Sequence, residues 1–357
     1  MDSNNFIKHI TLENYKSIKK LDLELKPLNV LIGSNGAGKS NLISFFNLLR
    51  KMEAGELKKY VLSKGGQDVF LCYGQKESEF LSASLDVMRC EYFFSLMPTV
   101  NDFFQFTAED FMRYSWWNTG NSGNESQLYL KNNLGIIGST RFVGYVKQIQ
   151  VFHFNDTSDT SPLKATVANN DNLFLRADGQ NLACMIKLIY DEHPEYYKMI
   201  IDTIRNVVPD FHDFVIRQNS EFLSLEWFNK NNIDIPWKAH YLSDGSLRFI
   251  ALAVLLLMPS ELQPQVIIVD EPEIGLHPTA LNVLSGLIKR ASLERQVIIS
   301  TQSAELLSQF EPDDVIVVDK KDKYSEFRRL SNYDLAKWLE NYTLGELWET
   351  NVIGGRP

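Results

Sequence analysis

The sequence predicts an α/β fold with a mainly parallel core sheet, and three stretches carry that prediction. Leu28 to Ile32 is a short apolar run that stops at Gly33, and after a glycine-rich turn apolar residues return at helical spacing from Asn41 to Lys51. An uninterrupted apolar run suits a strand buried on both faces, and strand, loop, helix is the order of a parallel α/β unit. A second aliphatic run, Val266 to Val269, ends in two carboxylates. The third stretch completes another unit, with a helix near Thr279 to Leu293 and a strand at Gln296 to Ser300.

The remaining elements follow in order. Leu21, Leu23 and Leu25 alternate with charged residues, as in a half-exposed strand. Phe80 to Thr107 has β-type composition, while Trp116 to Asn133, rich in Asn, Gly and Ser, reads as an exposed loop. Asn181 to Val208 reads as two helices broken around Pro194, a further helix starts near Ser246, and a strand is expected at Asp314 to Val318. No heptads are sustained, so long coiled-coil arms are not expected.

Composition excludes several classes. With 357 residues, 44% hydrophobic and 23% charged, the chain is an ordinary globular one and can bury a large core. The three cysteines, Cys72, Cys90 and Cys184, form no CxxC pair, so neither a disulfide framework nor a zinc site is expected, and the six histidines lack metal spacing. The start, MDSNNFIKHITLENYKS, has no apolar run behind a basic segment, and Phe249 to Met258 is about half the length a membrane span needs. A cytoplasmic protein is expected, with no membrane partner. A net charge of -9 repels phosphate backbones, so DNA binding would need a local patch or a partner.

Gly33-Ser34-Asn35-Gly36-Ala37-Gly38-Lys39-Ser40 fits the phosphate-loop pattern GxxxxGK[ST], between a strand and a helix as the pattern requires. Glycines let successive backbone N–H groups point at phosphate oxygens, and the helix N-terminus adds partial positive charge. Lys39 is expected to reach the β and γ phosphates and Ser40 to ligate Mg²⁺, with Asn41 beside them. Asp270 and Glu271 follow the second strand, where a parallel sheet delivers residues to its ligand crevice. Alone, that string is an ordinary strand with a polar end. After a phosphate loop, and before Pro272-Glu273-Ile274-Gly275-Leu276-His277-Pro278, Asp270 reads as a Mg²⁺ holder and Glu271 as the residue that orients or deprotonates the attacking water.

These motifs resemble a known family. Leu242-Ser243-Asp244-Gly245-Ser246 looks like the signature sequence of ABC ATPases, usually LSGGQ, and Ser300-Thr301-Gln302-Ser303 stands where those proteins carry their switch residue. LENYKSIKKLDLELKPLNVLIGSNGAGKSNLI, YLSDGSLRF, IIVDEPEIGLHP and IISTQSAELL are similar to the RecF/SMC-related branch, which includes the heads of OLD-type nucleases and small ATPases of bacterial anti-phage operons. The resemblance covers about residues 6 to 70 and 240 to 357. It implies an ABC-type P-loop ATPase head with an antiparallel β subdomain and a helical lobe: one head over 1–357, a nucleotide-binding lobe of 1–110 and 240–357, and an inserted, largely helical lobe at about 111–239. It also implies ATP and Mg²⁺ as cofactors, Glu271, Gln302 and Lys39 as catalytic residues, and Ser243 and Gly245 meeting the γ-phosphate held by a second head.

Two departures bear on function. Gln302 replaces the transporter histidine; it can still donate a hydrogen bond but cannot carry a proton, which argues against a transporter head. Asp244 replaces the first signature glycine and is expected to turn away from the phosphate. Read without the family, Leu242 to Ser246 is a simple helix cap. His277 falls in the segment that crosses the dimer interface in this family, while Gln67 and Lys16 match family positions near the nucleotide only weakly.

Three functions compete: a slow or regulated ATPase switch that dimerises around ATP in a defence complex, a RecF-like clamp on DNA, and a transporter head. OLD-type proteins carry a Toprim nuclease after the ATPase, and the short stretch beyond Gln302 leaves no room for one, so a separate nuclease or Toprim-like effector is expected. For the DNA reading, Lys58, Lys59, Lys289, Arg290, Lys320, Lys321, Lys323, Arg328 and Arg329 are the candidate basic strip. In the closing stretch, Trp338, Leu344, Leu347 and Trp348 form either an apolar docking face or a final packed helix.

Overall fold

The computed structural model describes residues 6–87, 90–112, 116–118, 123–126, 128 and 137–356. The chain divides into two compact units, one formed by Met1–Gln150 with Glu311–Pro357, the other by Val151–Phe310. The strand Ile149–Phe152 carries the chain from one to the other.

In the first unit, Leu28–Ile32 is buried at every position and pairs in parallel with Val315–Lys321, which turns back antiparallel into Tyr324–Arg329. The run, apolar but for Asn29, thus has the two-sided burial expected of it. The helix Lys39–Glu53 follows the glycine-rich loop. An antiparallel sheet runs in the order Ile18–Glu24, Ile7–Tyr15, Leu81–Val87, Cys90–Pro98, Phe104–Met112, Trp116–Asn118. Ile18–Glu24 buries Leu21 and Leu23 and exposes the charged residues between them, as its alternation predicts.

Aromatic residues fasten the phosphate-loop helix to that sheet. Phe45 is fully buried, meets Tyr15 edge-on at 5.7 Å and stacks on Phe94 at 6.4 Å, and Tyr15 Oη pairs with Ser44 Oγ at 2.9 Å. Phe45→Ala is therefore expected to cost about 3–5 kcal/mol, read from urea unfolding; an unchanged midpoint would contradict this account of the core.

The expected loop at 116–133 is partly strand: Trp116–Asn118 pairs with Asp110–Met112, consistent with the β propensity of its tryptophans. Within 119–133, all but 123–126 and 128 lie outside the described residues.

In the second unit Val266–Asp270 pairs in parallel with Gln296–Thr301, with Asp270 opposite Ser300. The helices Leu182–Glu192, Pro194–Val207, Asp244–Leu257, Pro278–Ser292 and Ala304–Leu307 belong to this unit. The break between the first two falls at Pro194, which starts the second at its first turn, where the missing N–H costs nothing. Asp244–Leu257 is buried at every residue from Leu247 onward, as a stretch that is apolar all round except for Arg248 must be. A three-stranded sheet in the order Phe211–Phe214, Glu226–Asn229, Asn232–Lys238 completes it, with a two-stranded pair of Val167–Ala168 and Phe222–Leu223. The stretch 111–239 is consequently mixed α and β rather than largely helical, because short aromatic and β-branched runs such as Trp227-Phe228 and Ile233 to Trp237 form antiparallel pairs.

The closing stretch is mostly core. Leu344, Leu347 and Trp348 are buried, so they are no docking face, whereas Trp338 is 45% exposed. Trp348 donates its indole N–H to the Gly355 carbonyl at 2.6 Å, and Gly355 N–H donates to Asp319 at 2.8 Å. The three cysteines form no disulfide with one another and are buried. Among the described residues, no helix is long and apolar enough to cross a membrane.

Candidate functional site

The phosphate loop lies in the first unit. Gly38, at φ 122°, precedes the helix as its cap and offers no side chain to the helix N–H groups. A Cβ at Gly38 would run into Ser325, so both backbone angle and space demand glycine there. Lys39 is only 5% exposed, and its ammonium donates to the carbonyls of Gly33 at 2.6 Å and Ser34 at 3.2 Å. The charge is therefore folded over its own loop, where an incoming phosphate oxygen can replace a carbonyl as partner. Asn35, Gly36 and Ser40 are exposed, and the space at Gly36 is open. This donor set fits a triphosphate.

Two serines brace the loop from behind. Ser325 Oγ donates to the Ala37 carbonyl at 2.5 Å and meets Ser17 Oγ at 2.6 Å, which also accepts the Asn41 side-chain amide at 2.6 Å. Sequence reasoning missed Ser17 and Ser325, whose partners lie far apart along the chain. Lys16, next to Ser17, has its ammonium over the Tyr15 and Phe70 rings at 5.6 and 5.7 Å, and burial pulls its pKa below the usual lysine range. Gln67 is 2% exposed and uses both ends of its amide on Thr99, at 2.7 and 2.8 Å, which makes it a clamp on that turn.

The carboxylates lie in the second unit. Parallel pairing puts Asp270 beside Ser300, and Ser300 Oγ donates to Asp270 Oδ1. Glu271 follows in the left-handed region at φ 51°, an unfavourable angle for a side chain of this kind, held there by its N–H donating to the Ser300 carbonyl at 2.9 Å. Strain of this sort persists where surrounding structure over-determines it, and it concentrates at functional positions. The Gln302 side-chain amide donates to Glu271 Oε1, and the Gln302 backbone N–H donates to Glu273 Oε1 at 2.7 Å. Asp270, Glu271 and Gln302 thus share one end of one strand pair.

The signature lies in the same unit. Ser243 caps the helix Asp244–Leu257, accepting from the Ser246 N–H at 3.1 Å. Gly245 sits against Gly275, whose carbonyl a Cβ would overlap. Arg248, 4% exposed, donates to the carbonyls of Ile274, Phe154 (3.1 Å) and Asn155 (3.0 Å), and so ties the signature helix to the segment after Glu271. Burial lowers its pKa. Ser243 and Asp244 are exposed. His277 caps the next helix, its ring nitrogen accepting from Thr279 N–H at 3.3 Å.

Residues 28–308, well over half of the chain, match the family described as "AAA domain, putative AbiEii toxin, Type IV TA system". The chain belongs to this family. Membership of this AAA-type family agrees with the phosphate-loop motif at Gly33 to Ser40. Its fold is that of Smc heads: it resembles an Smc head bound to the C-winged-helix domain of ScpA (TM-score 0.62, 15% identity, covering 93% of this chain and 99% of that one). It also resembles the Smc head with an extended coiled coil from Pyrococcus furiosus, bound to the C-terminal domain of ScpA (TM-score 0.58, 15% identity, 94% and 98%). The energy-coupling factor transporter ATP-binding protein EcfA1 of Staphylococcus aureus is 26% identical over 198 residues, 54% of this chain and 65% of that protein's length. The match thus spans less than two thirds of that relative.

Proposed function

We propose that this AbiEii-type AAA protein binds ATP with Mg²⁺, dimerises around it and hydrolyses it slowly, serving as the switch subunit of a bacterial defence complex whose effector is a separate protein. The observation that carries the ATPase reading is the buried Lys39 ammonium held at the mouth of a glycine loop that opens onto a helix N-terminus. In this reading Gly33 to Asn41 bind the phosphates, Ser40 and Asp270 hold the metal, Glu271 takes the proton of the attacking water, and Gln302 donates to the γ-phosphate. When bound, Mg²⁺ neutralises charge on the phosphate oxygens. These residues all fall within 1–110 and 240–357, the lobe proposed to carry the nucleotide.

Dimerisation is supported by the exposed Ser243 at a helix start that its own unit leaves open to an incoming anion. Ser243→Arg is expected to leave ATP affinity within about twofold and to abolish ATP-dependent dimerisation, read by light scattering on the eluting protein; a dimer that still formed with ATP would refute the contact in trans. The defence role is supported by the family description, which names a toxin of a type IV TA system, and by the resemblance to anti-phage ATPases. Its test is whether an effector encoded beside this protein co-purifies with it and is released or retained according to ATP.

The DNA-clamp reading receives less support. Arg329 is committed to the carbonyls of Asp313 and Glu24 and to Asn29, Arg328 to the Ile353 carbonyl, and Lys323 to Glu77. A salt-dependent DNA affinity that appears only with ATP would restore it.

A further inference from the structure

Glu273 stands two residues beyond Glu271 and has no part in the reading above. Its side chain turns inward: Oε1 accepts the backbone N–H of Gln302 at 2.7 Å, and Oε2 is buried with no hydrogen-bond partner. Gln302 is therefore held at two points, its backbone by Glu273 and its side-chain amide by Glu271. The residues on either side of Gln302 do not supply that anchor: Thr301 is fully buried and its hydroxyl accepts the Ser303 N–H at 3.0 Å, while Ser303 caps the short helix Ala304–Leu307. Without Glu273 the Gln302 N–H would lose its partner at the point where the strand Gln296–Thr301 gives way to that helix.

We propose that Glu273 is a positioning residue for hydrolysis: it fixes the backbone of Gln302, so that the Gln302 amide stays aimed at Glu271. The inference rests on the reading of Glu271 and Gln302 as catalytic. A carboxylate with one buried, unpaired oxygen beside a second carboxylate is costly to keep charged. Burial accordingly raises the Glu273 pKa; the Gln302 N–H, its own N–H and the nearby Thr301 hydroxyl oppose the shift, and the neighbouring Glu271 charge adds to it least. The glutamate side chain and the amide of glutamine have nearly the same shape, and both keep an oxygen that accepts the Gln302 N–H.

The experiment compares Glu273→Gln, Glu273→Ala and Glu271→Gln in the full chain, measuring steady-state kcat with Mg·ATP, ATP affinity by titration, and thermal unfolding. Glu273→Gln should keep kcat within about threefold of the parent. Glu273→Ala should lower kcat by about 10-fold or more and move ATP affinity less than about threefold. If the alanine form does not fold, Glu273→Asp, which keeps the acid but shortens its reach, should show the same selective loss of kcat. A glutamine variant as impaired as alanine, or losses of kcat that simply follow the folded fraction, would overturn the proposal. Wild-type turnover in Glu273→Ala alongside an inactive Glu271→Gln would overturn it while leaving the catalytic reading intact. Wild-type turnover in Glu271→Gln would overturn the catalytic reading first.

Discussion

Lys39→Ala is expected to remove ATP hydrolysis and most ATP affinity. The Lys39 ammonium is the buried cation of the phosphate loop, and it already sits on the loop's own carbonyls of Gly33 and Ser34. It needs no reorganisation of the chain to meet a phosphate oxygen, which is the condition under which one donor counts most. Removing a preorganised group of this kind costs about 100- to 1,000-fold in kcat. Affinity should fall with it, because the charge meets the ground-state phosphates as well as the transition state. A Lys39→Arg form keeps the charge but not the compact ammonium, and its planar fork should not fit between those carbonyls, so it should resemble alanine. Turnover assays and ATP titration read both variants, with thermal unfolding to confirm that the loop's strand and helix remain folded. Alanine binding ATP as the parent does would mean that Gly33 to Ser40 is only a turn.

The phosphate-loop motif and the α/β fold class were both legible in the sequence, for a physical reason. A phosphate loop is local: the backbone of Gly33 to Ser40 makes the nest, so residue types and spacing suffice to identify it. Glu271 and Gln302 were legible because each directly follows a buried strand, whose aliphatic run, Val266 to Val269 or Val297 to Ile299, marks where it lies. Glu273 was visible as a letter but silent as a role, since its work depends on the backbone N–H of Gln302, a residue far along the chain just past the strand Gln296–Thr301. The Ser17–Ser325 brace left no mark at all, because a serine in a turn or a strand reads as ordinary polar surface.

The fold failed to announce itself where pairing is antiparallel and short. The strands between Phe211 and Lys238 carry few apolar residues each, and their stability comes from cross-strand partners such as Trp227 opposite Trp237. Periodicity over four residues cannot separate such a strand from a loop. By contrast, Pro194 and the alternation of Leu21 and Leu23 act within their own segments, and the structure follows them.

Glu271→Gln is expected to separate binding from turnover. The substitution keeps size and shape, so the left-handed backbone at φ 51° and its N–H bond to Ser300 are undisturbed, and the new amide oxygen can still accept from Gln302. What disappears is the basic carboxylate. A general base contributes about 100- to 10,000-fold to such a step, so kcat should drop by that order while ATP affinity stays within about twofold. If two heads close around ATP and open only after hydrolysis, the variant should accumulate as an ATP-bound dimer that light scattering detects. Adding Ser243→Arg should then return it to an ATP-bound monomer, because the second change blocks the contact in trans without touching the phosphate loop. The pair of variants therefore tests the two halves of the proposal independently. A Glu271→Gln form that hydrolyses ATP at the parent rate removes Glu271 from the chemistry. A slow form that remains monomeric with ATP keeps the chemistry and removes the dimer.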